Sequence, residues 1–533
     1  MNTMGKQIEQ IDAQTLKSYF HDGGEVALLD AREEVPFDSR HIFMASCVPI
    51  GRLECLVDTL VPRRSVRVVW CDDGEGYAQL AAERMSALGW SDVHVLSEGL
   101  LGWEKAGYRI YSGMHVPSKA FAELIECDAG TPHISADELK AMLDNKLDVV
   151  LFFDTRTFEE YHGNSIPNAI SAPGAELVYR FKDMVPSSET KVVINCGGRT
   201  RSIIGAEALR VAGYPNDVVS LANGTQGWHL AGYDIMDGAT RAAPELSANG
   251  LAVAKDAAKR VAKRAGIREI DLATLSDWRN ETAIRTLYMW DVRTAKEFQA
   301  GHLKGAKHIA GGQLVQETDR HCATWGARVV LIDDTSVRAT FTAYWMKQMG
   351  WDVSTFSTDG KDVELETGIR SPNILGSEDA EVNMISVAKL RSSMDAEAVQ
   401  VVDLALSKEY LNGHIPGAAF ALRSQFPRVI GDLVNSGTLV LTSPDGRLAR
   451  LAAAQLTSPA KALAGGTNAW VSAGFKVEAG PEKMLSEALD IRLKAREEEV
   501  NKEEAMKAYL NWEIDLAEQM RTEDDQRYDI IRG

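Results

Sequence analysis

Four ordered elements recur four times along this chain, and that register constrains the fold more than any composition figure. The first is an apolar strand ending in aspartate: LLDAREEVPF around Asp30, LFFDTRTFEEY around Asp154, YMWDVRTAKEF around Asp291 and VVDLALSKEY around Asp403. A second follows each: HIFMASCVPI from His41, GNSIPNAISAP from Gly163, GHLKGAKHI from Gly301 and GHIPGAAF from Gly413. The third is a hydrophobic strand feeding a turn and a helix: VRVVWCDDGEGYAQLAAERM, KVVINCGGRTRSIIGAEALR, RVVLIDDTSVRATFTAYWM and TLVLTSPDGRLARLAAAQL. The fourth is a glycine-rich turn with tryptophan, EGLLGWEKAGY, NGTQGWHLAGY and GGTNAWVSAGF, reduced in the third unit to Thr358-Asp359-Gly360. Spacing agrees as well: Cys71 to Trp103 and Cys196 to Trp228 both span 32 positions. Four homologous domains of about 110–125 residues each follow, within the usual domain range. Strands alternating with helical patterns predict α/β domains, each a mostly parallel sheet with helices on both faces. In open sheets of that kind, ligands bind beyond the carboxyl ends of the strands.

The expected boundaries are 8–112, 132–238, 268–362 and 384–480, with a helical tail over 481–533. Residues 112–132 and 362–384 read as mixed-composition linkers, and 245–266 as a connecting helix with a basic face. The tail is highly charged and helix-favouring. Its apolar residues, Leu485, Leu489, Ile491, Leu493, Tyr509, Leu510, Trp512, Ile514 and Leu516, suit one or two helices packed on the array or on a second copy, as in a homodimer. A net charge of −18 argues against non-specific nucleic-acid binding. No apolar run approaches the ~20 residues of a membrane helix. The N-terminus lacks a signal-peptide layout. Six irregularly spaced cysteines, without a CxxC pair, suit neither a disulfide framework nor a zinc site. A cytoplasmic protein with free thiols is expected.

The candidate site is Cys196-Gly197-Gly198-Arg199-Thr200-Arg201-Ser202. Val192–Asn195 reads as a buried strand, and Ile203 to Ala212 as a helix stopped by Gly213. A lone cysteine therefore stands where a strand ends and a helix begins. Backbone N–H groups and the helix dipole converge there, which lowers a thiol's pKa and holds an anion beside it. Two glycines permit a tight wrap, while Arg199 and Arg201 supply positive charge. Asp154 and Arg156, at the neighbouring strand end, read as a supporting ion pair. At the Cys196 position the third domain has Asp333 and the fourth has Ser443, so neither offers a thiol there. The first domain is read as keeping its cysteine, Cys71, in a loop one residue longer and lined by Asp72, Asp73 and Glu75. Those charges raise a thiol's pKa and repel anions, leaving Cys71 a relic or a secondary site. Cys47, Cys55, Cys127 and Cys322 read as packing residues.

Together the Asp-Thr-Arg strand end at Asp154, the G-H-I-P-G-A-like segment, the cysteine-led loop and the G-G-x-x-x-W turn make the chain resemble the rhodanese family over nearly all of residues 10–480. The resemblance implies a sulfurtransferase that carries a sulfane sulfur as a Cys196 persulfide. Its donor would be a small sulfur anion such as thiosulfate, and its acceptor a thiophile such as cyanide, a thiol or a sulfur-relay protein. Residues 197–202 would cradle the persulfide, and Arg201 with Arg199 would neutralise the leaving sulfonate. That chemistry needs no metal or organic cofactor. Two rivals stand beside it. A cysteine phosphatase or arsenate reductase uses a similar loop, but with arginine six positions after cysteine, where this chain has Ser202. A non-catalytic scaffold would leave Cys196 incidental.

Overall fold

The structure, a computed structural model, describes residues 8–145, 150–396, 399–431, 438–457, 459–498 and 500–531. Pieces of the expected second domain (146–149), fourth domain (397–398, 432–437, 458) and tail (499, 532–533) lie outside the described residues.

Each repeat folds around its own parallel sheet. In the second, the strand order is His133–Ile134, Val218–Leu221, Lys191–Asn195, Val150–Asp154, Ile170–Ser171. The third runs Arg268–Glu269, Asp352–Ser357, Arg328–Asp333, Leu287–Asp291, Lys307–His308. The fourth runs Asn383–Ile385, Ala460–Leu463, Thr438–Thr442, Val399–Asp403, Ala419–Phe420. In the first, Glu9–Ile11, Val93–Leu96, Arg67–Cys71, Val26–Asp30 and Ser46–Cys47 take the same order. The strands are short apolar runs because both faces are covered, and alternate side chains go opposite ways. In the fourth domain, Val402, Leu439 and Leu441 pack with Leu448, Ala449 and Leu451 of helix Arg447–Gln455. Their strand neighbours Val401 and Val440 pack instead with Leu390 and Trp470. Each such fully buried aliphatic side chain contributes about 1.5–3 kcal/mol.

The chain divides into two compact units. One comprises residues 1–18, 26–114 and 371–492 and so holds the first and fourth repeats; the other comprises 19–25, 115–370 and 493–533 and holds the second and third. Within the first unit, the Arg423 guanidinium donates to both Glu54 oxygens at 2.7 and 2.9 Å, with both residues buried. Within the second, Gly174 and Gly312 approach so closely that a Cβ on Gly312 would lie 2.7 Å from the Gly174 Cα.

One expectation about the connections changes. Residues 112–132 are not a plain linker, because Val116–Ala129 is a helix with Val116, Ala120, Phe121 and Ile125 buried. Charges interspersed among those apolar residues masked their helical spacing. The stretch 245–266 is the expected helix, Ala248–Ala265, capped by the Ser247 hydroxyl and closed by Gly266. In the tail, a short 3₁₀ turn at Ala495–Glu497 precedes one long helix, Lys502–Met520. That helix lays Met506, Leu510, Leu516, Ala517 and Met520 into the second unit and packs on Val116–Ala129. No described helix is long and apolar enough to cross a membrane.

Candidate functional site

The site begins with the sheet register. Asn195 is the last residue of its strand and pairs with Asp154, the last of the neighbouring strand. The Thr155 N–H donates to the Asn195 carbonyl at 2.9 Å, and the Thr225 N–H donates to the Cys196 carbonyl at 2.8 Å. Cys196 is thus the first residue off the sheet, held between two neighbouring turns. Helix Thr200–Ala212 starts four residues later, and Gly213 ends it at φ +79°. Gly224, at φ +56°, is required here, since a Cβ on it would lie 2.4 Å from the Cys196 carbonyl oxygen. Below the loop, Arg156 and Asp154 form a fully buried pair at 2.7 Å. Arg156 also donates to the Asn164 side chain and carbonyl, and Asn195 Nδ2 donates to Asp154 at 3.1 Å. This pair fixes two strand ends and the following turn.

Cys196 is 2 % exposed. Its sulfur lies 3.6 Å from Ser202 Oγ, whose proton goes to the Arg199 carbonyl at 2.7 Å. The expected lowering of the thiol pKa is overturned. Burial pushes the thiol up, and the charge of Arg201, the Ser202 hydroxyl and the Gly198 N–H only partly offset it, while Glu513 adds to the rise. The arginines are also engaged. Arg199 donates through Nε and Nη2 to the two Glu123 oxygens at 2.8 Å each, and Nη2 also meets Glu126. Arg201 donates to Glu160 at 2.6 and 3.3 Å. Lys494 and Arg496 reach the same Glu160 at 2.8 and 3.3 Å. A guanidinium removed from water needs a counterion, and helix Val116–Ala129 and the repeat's own Phe158–Gly163 helix supply them.

Sequence reasoning missed the cover of this loop. A Cβ added to Gly198 would lie 2.9 Å from Glu513 Oε2 and 3.3 Å from Tyr509 Cε1, and one on Gly197 would lie 3.3 Å from Arg496 Nη1. Glu513 is 1 % exposed. Its Oε1 accepts from Thr200 Oγ1 at 3.3 Å and from the Tyr509 hydroxyl at 2.7 Å. Its Oε2 has no hydrogen-bond partner among the described residues. Lys119 lies over the rings of Tyr509 and Trp512 at 5.0 and 4.6 Å, clasping the tail helix to helix Val116–Ala129. The tail's apolar spacing foretold a packed helix, but nothing in it pointed to this loop.

Residues 12–106, 135–231, 271–360 and 386–473 match the family model for the rhodanese-like domain. The chain belongs to that family. It is similar throughout to the crystal structure of a thiosulfate sulfurtransferase from Pseudomonas aeruginosa: 41 % identical, covering 98 % of this chain and 100 % of that one, TM-score 0.94. A 111-residue stretch is 29 % identical to the HTH-type transcriptional regulator Rv0324 of Mycobacterium tuberculosis strain ATCC 25618 / H37Rv, covering 21 % of this chain. The chain spans about half, 48 %, of the length of that curated relative.

Across the four rhodanese-like domains the register corrects one alignment. Asp154 pairs with Asn195, Asp291 with Ile332 and Asp403 with Thr442, so the next residues, Cys196, Asp333 and Ser443, are equivalent. In the first domain Asp30 pairs with Cys71 itself. The residue equivalent to Cys196 is therefore Asp72, and Cys71 is the final strand residue. Hydrogen bonds agree: the carbonyls of Asp72, Cys196, Asp333 and Ser443 accept from Leu100, Thr225, Thr358 and Thr467 at 2.8–3.1 Å. The side chains of Asp72, Asp333 and Ser443 each accept from the N–H six residues on, at Ala78, Ala339 and Ala449. The first loop is thus no longer than the others. Leu100 follows Asp72 by 28 positions where Thr225 follows Cys196 by 29, so a one-residue difference beyond the loop made the cysteines seem aligned.

Cys71 is fully buried, and its thiol is pushed well above the usual range by burial and by Asp30, Asp72 and Glu75 against Arg32. Asp73 meets Arg40 at 3.2 Å, a cation the loop sequence did not reveal. A cleft of about 660 Å³, lined by Asp72, Asp73, Gly74, Gln79 and Glu98 among others, opens at this loop. In the third domain Arg338 is engaged by Glu176, Glu297 and Asp334 at 2.8–2.9 Å. Cys47 and Cys55 are half-buried and Cys322 is buried, whereas Cys127 is exposed at the end of its helix and is no packing residue.

Proposed function

We propose that this chain is a sulfurtransferase acting through Cys196 in its second rhodanese-like domain. One observation carries the reading. Among four loops superposed by strand register, only the second places a nucleophilic sulfur at the position where the sheet gives way to the helix N-terminus. The Cys196 thiolate would attack the outer sulfur of thiosulfate, forming the Cys196 S–S bond. The S–S bond of the donor breaks, and sulfite leaves with its electron pair. A thiophile such as cyanide or a thiol then attacks the outer sulfur and returns the thiolate. Gly197, Gly198 and Thr200 to Ser202 would surround the carried sulfur. Arg201, the largest favourable charge on the thiol, would stabilise both the thiolate and the leaving anion. Arg199, locked on Glu123 and Glu126, serves as support. Ser202 at the sixth position, with its hydroxyl at the sulfur, does not supply the guanidinium grip that phosphoryl transfer uses. Asp333 and Ser443 leave the third and fourth domains without a sulfur carrier, and in the first Cys71 lies one residue back in the strand.

Incubation with thiosulfate followed by peptide mass spectrometry tests the reading. Cys196 should gain one sulfur atom, and Cys196→Ser should lower turnover at least ~10³-fold, about 4 kcal/mol in barrier, with the fold intact. Unmodified Cys196 together with hydrolysis of an aryl phosphate would sink it.

A further inference from the structure

We infer that Glu513, carried in by the C-terminal helix Lys502–Met520, is a specificity-determining residue of the Cys196 site: its carboxyl occupies the place an anionic donor must take. The inference deepens the sulfurtransferase reading and rests on it. Three observations on different residues converge. Cys196 is nearly sealed at 2 % exposure, and what faces Gly198 across the loop is the Glu513 carboxyl together with the Tyr509 ring. One carboxyl oxygen is held by the Thr200 and Tyr509 hydroxyls, Thr200 being the first residue of the helix whose positive end faces the loop. The other oxygen is buried, aimed at the Gly198 wall and without a hydrogen-bond partner among the described residues. A buried acceptor left unsatisfied destabilises the fold that holds it. It therefore persists because the helix around it is anchored elsewhere, by the Lys119 clasp and by Met506, Leu510, Leu516 and Met520.

The same geometry sets what the site admits. Arg199 and Arg201 are already matched by Glu123, Glu126 and Glu160. An incoming dianion shares the Arg201 charge with Glu160 and must displace a tethered carboxyl to reach the thiol. Donor affinity is thus lowered by an intramolecular competitor whose effective concentration is set by the packed helix. Small donors that lift Glu513 without unseating Leu510 and Leu516 are favoured over bulky ones.

The test uses the full chain with Glu513→Ala and the shape-preserving Glu513→Gln. Two quantities are read: KM and kcat for thiosulfate, and the rate at which neutral iodoacetamide alkylates Cys196, followed by peptide mass spectrometry. Exposed Cys127 serves as internal reference, and buried Cys71 and Cys322 report the fold. Glu513→Ala should lower KM at least ~5-fold with kcat within ~2-fold, and should speed Cys196 alkylation at least ~10-fold relative to Cys127. Glu513→Gln should move KM the same way by at least ~2-fold, which keeps the inference testable if the alanine variant folds poorly. An unchanged or raised KM in Glu513→Gln, or unchanged Cys196 alkylation in a folded Glu513→Ala protein, overturns it. Alkylation does not depend on sulfur chemistry. If Cys196 is unmasked in the variant yet never accepts sulfur, the sulfurtransferase reading fails while the assignment of Glu513 as occupant stands.

Discussion

The loops of the first and second domains share one backbone and hold opposite contents. Both leave the sheet beside an aspartate–arginine pair, Asp30–Arg32 in one and Asp154–Arg156 in the other, each joined within 2.7 Å. Both are crossed by a glycine at φ near +55°, Gly99 and Gly224, that touches the carbonyl of the first loop residue. In the second domain that residue is a thiol; in the first it is Asp72, whose carboxylate accepts from the Gly74 and Ala78 N–H groups. Asp72 thus fills its own loop from within, as an N-cap does, worth about 1 kcal/mol to the helix. Cys196 makes no such cap, and its loop is completed from outside by Glu513. The fold supplies the position, and one side chain decides whether that position carries chemistry or stability.

That comparison can be broken at several points. Because the ion pair is common to both loops, Asp30→Asn and Asp154→Asn should each cost about 3–5 kcal/mol by leaving a buried guanidinium unpaired. Urea unfolding measures it. A large loss at Asp154 with almost none at Asp30 would mean the pairs are not equivalent.

A difference between the loops should appear in pH dependence. Burial alone would raise the Glu160 carboxyl, but the charges of Arg201 and Lys494 hold it well below the usual carboxylate range. Its folded pKa is depressed, so its stabilisation is complete above the unfolded value of about 4.3 and is lost as pH falls through the folded value. Glu160→Gln should lower stability by about 3 kcal/mol at pH 7. The gap to the native chain should hold from neutral pH down to roughly 5.5 and close as pH drops below ~4. A gap that widened with acid would contradict the sign of the effect.

The smallest effect tests position against surroundings. Asp72→Cys places a thiol at the register position of the first domain, where Asp73 and Glu75 remain. It should lose about 1 kcal/mol with the cap, and after thiosulfate it should carry less than about a tenth of the sulfur found on Cys196, since neighbouring carboxylates disfavour thiolate. Equal labelling would show that register alone suffices.

Much of this was legible in the residues, for reasons that separate cleanly. Repeat order, strand ends and the Thr200–Ala212 helix were readable because hydrophobic runs, Gly213 and the Asp-x-Arg signature act locally. The partnership of Asp154 with Arg156 was readable for the same reason. The equivalence of Asp72 with Cys196 was not, because two single-residue offsets cancel in a spacing count and only hydrogen-bond register separates them. Nor were the counterions of Arg199, since Glu123 and Glu126 come from a helix read as linker. Glu513 arrives from 313 residues beyond Thr200, and no local pattern reports a contact that distant.

The order of those residues along the chain has a consequence for biogenesis. Translation finishes the Cys196 loop long before it reaches the helix that covers it. At synthesis rates of about 5–20 residues per second, the 313 residues between Thr200 and Glu513 take roughly 15–60 s to emerge. During that interval a nascent chain presents its thiol to the surrounding oxidants and sulfur compounds without its cover. Every newly made molecule therefore passes through an open form that the finished protein reaches only by displacing Glu513.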